Sequence, residues 1–349
     1  MKVGLVGFSG SGKTTVYNAL TGQKAETGYA SRGSGKTNLG VVKVPDARVE
    51  ALSAIHSPKK ITFAEIHFVD VAAPPGAGGR SLDTSALPAM REVDALVQVV
   101  RAFPSEDGKA ADPLGEVQDL LTELTLGDLA PIEKRLDRLK KEKGKPGEIE
   151  LLGKLKAHLE AGKSLRDLEL SEQDLVAVSG YRFLTQKTLL IVLNVAEGDV
   201  DKPIDPRLAA YAAENKLTII PLSGKLEMEL AELGPDEQKA FLADLGLSDT
   251  ALPRFVRAAY AALDLISFLT AGPDECRAWT IRRGTNAVRA AGKIHSDIER
   301  GFIRAEVMTF DDFMTYKSEA KVREAGKARL EGKEYIVRDG DIVHFRHNS

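Results

Sequence analysis

Cysteine is almost absent from the sequence: Cys276 is the only one in 349 residues, so no disulfide can form within the chain. No group of cysteines and histidines has the spacing of zinc ligands. Long apolar runs are also missing, because runs such as residues 3–6 and 189–193 fall far short of the ~20 residues of a membrane-spanning helix. We therefore expect no membrane partner and, since no cleavable signal precedes the first motif, a cytoplasmic location.

A strong excess of charge of one sign is missing as well. The net charge of -3 argues against indiscriminate binding of nucleic acid, and 43% hydrophobic with 28% charged residues is typical of globular proteins. Two stretches are nevertheless basic: residues 133–145 hold seven Lys or Arg against three acids, and residues 277–304 hold seven against two. Each stretch is either a solvated face or a surface for an anionic partner such as RNA.

The order of apolar segments predicts an α/β protein of more than one domain. In the first hundred residues, short apolar runs alternate with helical stretches, which is the pattern of a parallel sheet with crossover helices. This part, residues 1–112 with 181–263, is predicted to be a P-loop nucleotide-binding domain. Its predicted strands cover residues 2–6, 39–44, 65–71, 95–100, 188–193 and 217–222.

Two further parts are predicted from changes in this pattern. Apolar residues recur at three- and four-residue steps from Val117 to Leu139, and a second such stripe starts at Ile149 after a break at residues 143–147. We interpret residues 113–180 as an inserted antiparallel helical hairpin. Residues 264–349 change to short β-type runs and turns, which predicts a small α+β domain with strands over residues 278–281, 302–307, 334–337 and 342–345.

The clearest motif is a phosphate-binding loop. Residues 7–14 fit G-x-x-x-x-G-K-[ST], directly after an apolar strand and directly before a helix predicted over residues 15–20. A glycine-rich turn that opens into a helix offers several backbone N–H groups to phosphate oxygens. Lys13 is expected to contact the β- and γ-phosphates and to be catalytic, and the Thr14 hydroxyl to bind Mg²⁺. The predicted phosphate-binding residues are Gly7, Phe8, Ser9, Gly10, Ser11, Gly12, Lys13, Thr14 and Thr15.

Two other residues are candidate Mg²⁺ ligands. Asp70 ends the third predicted strand, where P-loop NTPases place the acid that holds Mg²⁺ through water. Residues 33–37 imitate the phosphate loop, but Ala30 replaces its first glycine and no apolar strand precedes it. This stretch has the position of a loop that closes over the γ-phosphate, so Ser34 is either a metal ligand or an ordinary loop residue. The candidate metal ligands are Thr14, Ser34 and Asp70.

A base-binding site is predicted after the fifth and sixth strands. Guanine-binding relatives carry N-K-x-D where this chain has Asn194-Val195-Ala196-Glu197. The Asp of that motif accepts hydrogen bonds from guanine N1–H and the N2 amino group, whereas the Glu197 carboxylate is one methylene further out and Val195 replaces the Lys. Adenine has neither donor, so this change favours ATP. The candidate base-binding residues are Asn194, Val195, Glu197, Ser223, Gly224 and Lys225.

With these motifs, the chain resembles the Obg-like ATPase family, also called YchF, of translation-factor-related P-loop proteins. Besides the loop and the N-x-x-E motif, the resemblance rests on residues 38–46, 91–95 and 225–233. Residues 268–273, 277–281, 290–295, 301–306 and 331–335 resemble that family's TGS domain, a ubiquitin-like β-grasp fold. The resemblance implies Mg²⁺-dependent hydrolysis of ATP to ADP in preference to GTP, and association with ribosomes or RNA. We expect a monomer.

Three departures from the family pattern bear on hydrolysis. The family has D-x-A-G-L where residues 70–74 read Asp-Val-Ala-Ala-Pro, so Ala73 replaces the glycine whose N–H approaches the γ-phosphate, and Pro74 and Pro75 have no N–H at all. Gly10 replaces a common Asn and Gln98 a usual His. Pro74 stands where Ras-type proteins place their water-orienting Gln, so no general base is identified. A regulatory switch with slow turnover, a nucleotide-binding scaffold without hydrolysis and a GTP-preferring GTPase all stay open, and a small-molecule kinase fits less well.

Overall fold

The computed structural model describes residues 1–25, 38–71, 82, 84–105, 108–142 and 146–348. They cluster into two compact units. The large unit contains Lys2–Val42 and His67–Phe255, and the small unit contains Met1, Lys43–Ile66 and Val256–Ser349. The sequence did not predict that residues 43–66 would group with the C-terminal residues.

The strands, numbered in chain order, are β1 (Lys2–Val6), β2 (Asn38–Val44), β3 (Lys60–Thr62), β4 (Ala64–Asp70), β5 (Ala95–Ala102), β6 (Thr188–Val195), β7 (Thr218–Leu222), β8 (Leu265–Thr270), β9 (Glu275–Arg282), β10 (Phe302–Thr309), β11 (Arg329–Glu331) and β12 (Asp341–His347). The six strands predicted for the nucleotide-binding domain correspond to β1, β2, β4, β5, β6 and β7, with ends that differ by two residues at most.

The helices are α1 (Lys13–Thr21), α2 (Ala47–His56), α3 (Leu87–Arg91), α4 (Pro113–Glu142), α5 (Pro146–Glu160), α6 (Glu172–Val178), α7 (Pro206–Glu214), α8 (Gly224–Leu230), α9 (Pro235–Asp244), α10 (Ala251–Ala262), α11 (Ala287–Ile294), α12 (Ser296–Arg300), α13 (Phe310–Tyr316) and α14 (Glu319–Glu324). Short 3₁₀ turns lie at Thr84–Ala86, Leu165–Asp167, Ser179–Tyr181 and Glu197–Asp199.

The sheet of the large unit has the strand order β2-β4-β1-β5-β6-β7. β1 pairs in parallel with β4 and β5, and β5–β6 and β6–β7 are also parallel pairs. The central strands are apolar on both faces, and Leu96, Val97 and Val192 have no exposed surface. Because parallel strands share one carboxyl edge, the carboxyl ends of β1, β4, β6 and β7 meet there. The predicted α/β class and parallel sheet are confirmed.

The inserted helical hairpin is formed mainly by α4 and α5. Its own apolar core includes Ile132, Leu139, Leu152 and Leu155, all buried. Two ion pairs join the helices, Glu133 with Lys156 at 2.9 Å and Arg135 with Glu148 at 2.7 Å. The later residue of α4, Arg135, pairs with the earlier residue of α5, Glu148, so the two helices run antiparallel, as predicted.

A buried carboxylate fixes the base of this hairpin. Asp128 of α4 has no exposed surface. Its two oxygens accept hydrogen bonds from Leu184 N at 3.0 Å, Thr185 N at 2.8 Å and Thr185 Oγ1 at 2.8 Å. Arg91 Nη1 donates to it at 3.1 Å, so the charge is both paired and fully hydrogen-bonded. We call these four residues the Asp128 cluster.

The small unit contains a mixed sheet of order β11-β10-β12-β8-β9-β3. Neighbours β8–β9, β10–β11 and β10–β12 are antiparallel, and β8–β12 and β3–β9 are parallel. One predicted strand, residues 334–337, is wrong: only an isolated bridge joins Ile336 to Asn286. The N–H of Val337 and the carbonyl of Tyr335 are bonded to the turn before α11 instead of to a continuous strand. The TGS assignment stays a prediction.

Pairing of β3 with β9 explains why residues 43–66 belong to the small unit. Lys60, Ile61 and Thr62 lie opposite Glu275, Cys276 and Arg277. Thr62 Oγ1 donates to Glu275 Oε1 at 2.5 Å, and Lys60 Nζ lies 3.3 Å from the same oxygen. These contacts hold the pKa of the Glu275 carboxyl below its usual value, although partial burial acts against them. The strand is short and mostly exposed, so sequence alternation did not predict it.

Candidate functional site

The predicted phosphate loop has the backbone conformation that its glycines allow. β1 ends at Val6, α1 begins at Lys13, and the loop between them contains Gly10 with φ 82° and Gly12 with φ 81°. Both angles are left-handed, where most side chains other than Asn would be strained. Gly12 precedes the helix without a side-chain cap, so the first N–H groups of α1 are available to an anion.

A further glycine keeps the loop close to the sheet. A Cβ added at Gly7 would lie 2.6 Å from Val99 O, which is too close for any side chain. The side chain of Phe8 is buried in the apolar core, Ser9 and Gly10 are exposed, and Ser11 is buried. The loop therefore offers mainly backbone groups, together with Lys13, Thr14 and Thr15, to a ligand.

Lys13 and Asp70 are brought together at the carboxyl edge of the sheet. Lys13 Nζ lies 3.3 Å from Asp70 Oδ1 and donates a hydrogen bond to the carbonyl of Val71. Asn38 Nδ2 donates to Asp70 Oδ2 at 3.3 Å. Asp70 is only 5% exposed, yet its Oδ1 has no hydrogen-bond partner in the described part of the chain. A buried acceptor without a hydrogen bond is costly, and the Lys13 ammonium beside it offsets part of that cost.

The donor set near Asp70 fits Mg²⁺. Thr14 and Asp70 offer a hydroxyl and a carboxylate, which are the hard oxygen ligands that Mg²⁺ accepts while it keeps several waters. Ser34 and residues 73–75 lie outside the described residues. Within the described ranges, no group of three or more His, Cys, Asp or Glu side chains could hold a metal. A site shared with waters and phosphate oxygens is therefore a better match than an all-protein cage.

Asn194 joins the phosphate loop to the predicted base-binding segments. Its Nδ2 donates to Ser11 O at 3.0 Å, and its Oδ1 accepts from Gly224 N at 3.0 Å. A Cβ at Gly12 would lie 2.2 Å from Asn194 Nδ2, so this contact also requires glycine at position 12. The sequence predicted Asn194 near the base, but its role as a brace between two loops was not predicted.

The other candidate base-binding residues divide into buried and exposed groups. Val195 is 8% exposed and packs in the apolar core, and Ser223 caps α8 by accepting from Leu226 N at 3.4 Å. Lys225 is exposed and Glu197 is partly exposed, and Lys225 Nζ lies 2.5 Å from Glu197 Oε1. This hydrogen bond raises the pKa of the Lys225 ammonium. Among the six candidate base-binding residues, Glu197 and Lys225 are the two with charged, solvent-accessible side chains.

A buried acid beside the site was missed. Glu227 of α8 is 4% exposed and accepts a hydrogen bond from the backbone N–H of Ala251, at the start of α10. Arg254 Nη2 lies 3.6 Å from Glu227 Oε1, which is an ion pair without a hydrogen bond. Burial raises the pKa of the Glu227 carboxyl. In the sequence, Glu227 could not be told from the exposed Glu229, two residues later.

Gln98, which replaces the usual histidine of the resembled family, is fully buried in β5. Its Nε2 donates to Glu116 O at 2.8 Å, and its Oε1 has no partner among the described residues. The side chain therefore connects the strand beside the phosphate loop to α4.

Comparison with known proteins decides the family. A model of the C-terminal part of YchF GTPases, described as a protein of unknown function, matches residues 265–348, and a model of 50S ribosome-binding GTPases matches residues 2–143. The ribosome-binding ATPase YchF of Pasteurella multocida (strain Pm70) is 40% identical over 359 residues, 99% of either chain. That of Bacillus subtilis (strain 168) is 39% identical over 364 residues, 100% of this chain and 99% of the relative. The chain belongs to the YchF family.

A solved YchF structure supports the same fold. The Schizosaccharomyces pombe YchF GTPase superposes with a TM-score of 0.85 at 30% identity, covering 99% of this chain and 97% of that one. The YchF resemblance inferred from the motifs is thus confirmed along the whole chain. No helix within the described ranges is both long and apolar enough to cross a membrane.

Proposed function

We propose that this YchF-family chain is an ATP-binding regulatory switch that hydrolyses ATP slowly and associates with ribosomes. The observation that carries the proposal is the buried Lys13–Asp70 pair beside uncapped N–H groups of α1. A cation and a carboxylate beside helix N–H groups suit a nucleotide phosphate and its metal, and this chemistry supports the proposal. The printed names of the bacterial relatives, ribosome-binding ATPases, support the nucleotide and the partner.

The loop would act mainly through positioned charge. Its backbone N–H groups and the Lys13 ammonium would bind the β- and γ-phosphate oxygens and stabilise negative charge that develops during transfer. In the structure Lys13 contacts Asp70 and Val71 O, so nucleotide binding would exchange these contacts for phosphate oxygens. Pro74 and Pro75 have no N–H to offer a γ-phosphate, which supports slow turnover.

Mg²⁺ is the proposed metal. Thr14 and Asp70 would hold it, with Ser34 as the third candidate. When bound, the ion would neutralise charge on the phosphate oxygens. Asp70 would hold the ion through water molecules of its coordination shell.

The decisive experiment compares nucleotides and partners in one preparation. Affinities for Mg-ATP and Mg-GTP are measured side by side, followed by ATP turnover with and without ribosomes. We expect ATP to bind at least as tightly as GTP, with slow hydrolysis. Binding without any turnover would favour the scaffold, and GTP affinity tenfold or more above that for ATP, ~1.4 kcal/mol, would favour the GTPase.

Association with the ribosome is proposed to use the basic C-terminal stretch. Arg282, Arg283 and Arg289 are exposed, and Arg283 pairs with Asp264 at 2.9 Å. Contacts with RNA phosphate release counterions, so binding should weaken as salt rises. Reversing these three charges should weaken ribosome binding, whereas reversing Lys239, Lys321 and Lys333, exposed cations outside the basic stretches, should not. Binding that is flat across a salt titration would contradict this surface.

Because ribosomes are the partner named for the relatives, we also infer a cytoplasmic location. The chain is expected to act as a monomer, which light scattering after size-exclusion chromatography would test.

A further inference from the structure

Lys225 lies against the residue that would read the base. Glu197 opens the 3₁₀ turn Glu197–Asp199 after β6, and Lys225 is in the first turn of α8 after β7. Lys225 Nζ is 2.5 Å from Glu197 Oε1 and 3.9 Å from Glu229 Oε1. The ammonium is therefore held mainly by Glu197.

The scaffold keeps these two loops together. The Asn194–Gly224 hydrogen bond of 3.0 Å lies three residues before Glu197 and one residue before Lys225, and it is buried. The ion pair is exposed, with side chains 72% and 41% accessible for Lys225 and Glu197, but the backbones that carry it are braced. The brace therefore holds the backbones of Glu197 and Lys225 near each other, so that their side chains can form the ion pair.

We propose that Lys225 is a specificity-determining residue that lowers GTP affinity relative to ATP by occupying the Glu197 carboxylate. This inference rests on the proposed base site. Guanine needs a carboxylate that accepts from its N1–H and N2 amino group together. A charged donor on the same carboxylate forms a stronger hydrogen bond than a neutral base N–H can, so GTP must displace or share it. Adenine lacks both guanine donors and loses nothing to this competition.

The expected effect is modest because the ion pair is exposed. Such pairs are worth ~0.2–1 kcal/mol, which corresponds to roughly 1.4- to 5-fold in affinity. Removing Lys225 should raise the ratio of GTP affinity to ATP affinity by about that factor. Combining its removal with Glu197→Asp, which restores the carboxylate of the guanine-binding motif, should raise the ratio further than either change alone.

The test measures dissociation constants for Mg-ATP and Mg-GTP in wild type, Lys225→Met, Glu197→Asp and the double variant. Lys225→Arg keeps the charge and should leave the ratio near that of wild type. Lys202→Met is a matched control, because Lys202 forms an ion pair of 2.5 Å with Asp199 in the same 3₁₀ turn, with 64% and 38% exposure. It should leave the ratio unchanged.

The outcome is the shift in the ratio, so it can be read whatever the wild-type preference is. A rise of about 1.4-fold or more in Lys225→Met, absent in Lys202→Met, supports the role of Lys225. An unchanged ratio in Lys225→Met, or an equal rise in Lys202→Met, overturns it and leaves a simple surface ion pair. A wild type that prefers GTP tenfold or binds neither nucleotide contradicts the proposed function instead. Unfolding in urea, expected to be unchanged for these exposed positions, shows that all variants are folded.

Discussion

Asp70 and Asp128 are both buried carboxylates that face a cation, but they use their oxygens differently. Asp128 accepts from three donors in residues 184–185 and from Arg91. Asp70 accepts one hydrogen bond of 3.3 Å from Asn38, and its Oδ1 accepts none in the described part of the chain, although Lys13 is 3.3 Å away. Asp128 uses its acceptors fully within the protein, whereas Asp70, the proposed Mg²⁺ ligand, has fewer donors among the described residues.

The largest expected effect on stability is at Asp128. Asp128→Ala removes the carboxylate partner of the partly buried Arg91 and leaves two backbone N–H groups without acceptors. We expect a loss of ~3–5 kcal/mol in the free energy of unfolding, measured in urea. Asp70→Ala is the control and should cost clearly less, because Asp70 makes fewer hydrogen bonds. Equal losses at the two positions would show that the difference in hydrogen bonding carries no energetic weight.

At Lys13, the partner of Asp70, the substitution Lys13→Ala should weaken ATP binding and leave the fold intact. One charge-assisted hydrogen bond is worth ~1.5–3 kcal/mol, so ATP affinity should fall about 10- to 150-fold. Unfolding in urea should change little, since α1 is held by buried Val16, Tyr17 and Leu20. Isothermal titration with Mg-ATP gives the affinity. Wild-type affinity in a folded Lys13→Ala protein would contradict the assigned site.

Glu227 is a further buried carboxylate, and its burial predicts that the free energy of unfolding depends on pH. Burial raises the pKa of Glu227 in the folded state above that in the unfolded chain, where it is roughly 4.3. The folded state therefore holds its proton more tightly, and stability falls as pH rises from that value through the folded pKa. Urea unfolding is measured at a series of pH values from roughly 4.3 upward. The free energy of unfolding should fall with pH in wild type and fall less in Glu227→Gln. A wild-type loss equal to that of the variant would exclude Glu227 as its source.

The smallest expected effect concerns potassium. Relatives of the wider class that use potassium place a phosphate-loop Asn carbonyl against the ion, and Gly10 has no side chain that could do so. We expect replacement of sodium by potassium to change the initial ATPase rate by less than about threefold, ~0.7 kcal/mol. Gly10→Asn is the matched variant, since Asn tolerates the left-handed backbone of φ 82° at this position. A tenfold stimulation of wild type would show that other oxygens complete an ion site.

The parts of the molecule that follow local rules were predicted from sequence. The phosphate loop, its flanking strand and helix, and the six strands of the parallel sheet follow from glycine chemistry and apolar runs that each span a few residues. Asp70 could be placed because the end of a strand fixes its position. The hairpin followed from helical periodicity over 30 residues of α4.

The rest depends on partners far apart in the chain. β3 pairs with residues more than 200 positions later, and nothing in Lys60–Thr62 itself indicates this. The Asn194 brace and the Glu197–Lys225 pair require two loops to meet, which the motif does not state. Residues 334–337 have the composition of a strand, but their backbone groups are bonded to a turn, so composition gave the wrong answer.

The Asn194 brace has a kinetic consequence. Asn194 is bonded to Ser11 of the phosphate loop, 183 residues earlier in the chain, and to Gly224, 30 residues later. These segments are ordered relative to one another when the chain folds. The braced segments around Ser11, Asn194 and Gly224 therefore have little conformational freedom left to lose when a nucleotide binds. ATP and GTP should enter at similar rates, and the discrimination between them should lie in how long each stays bound.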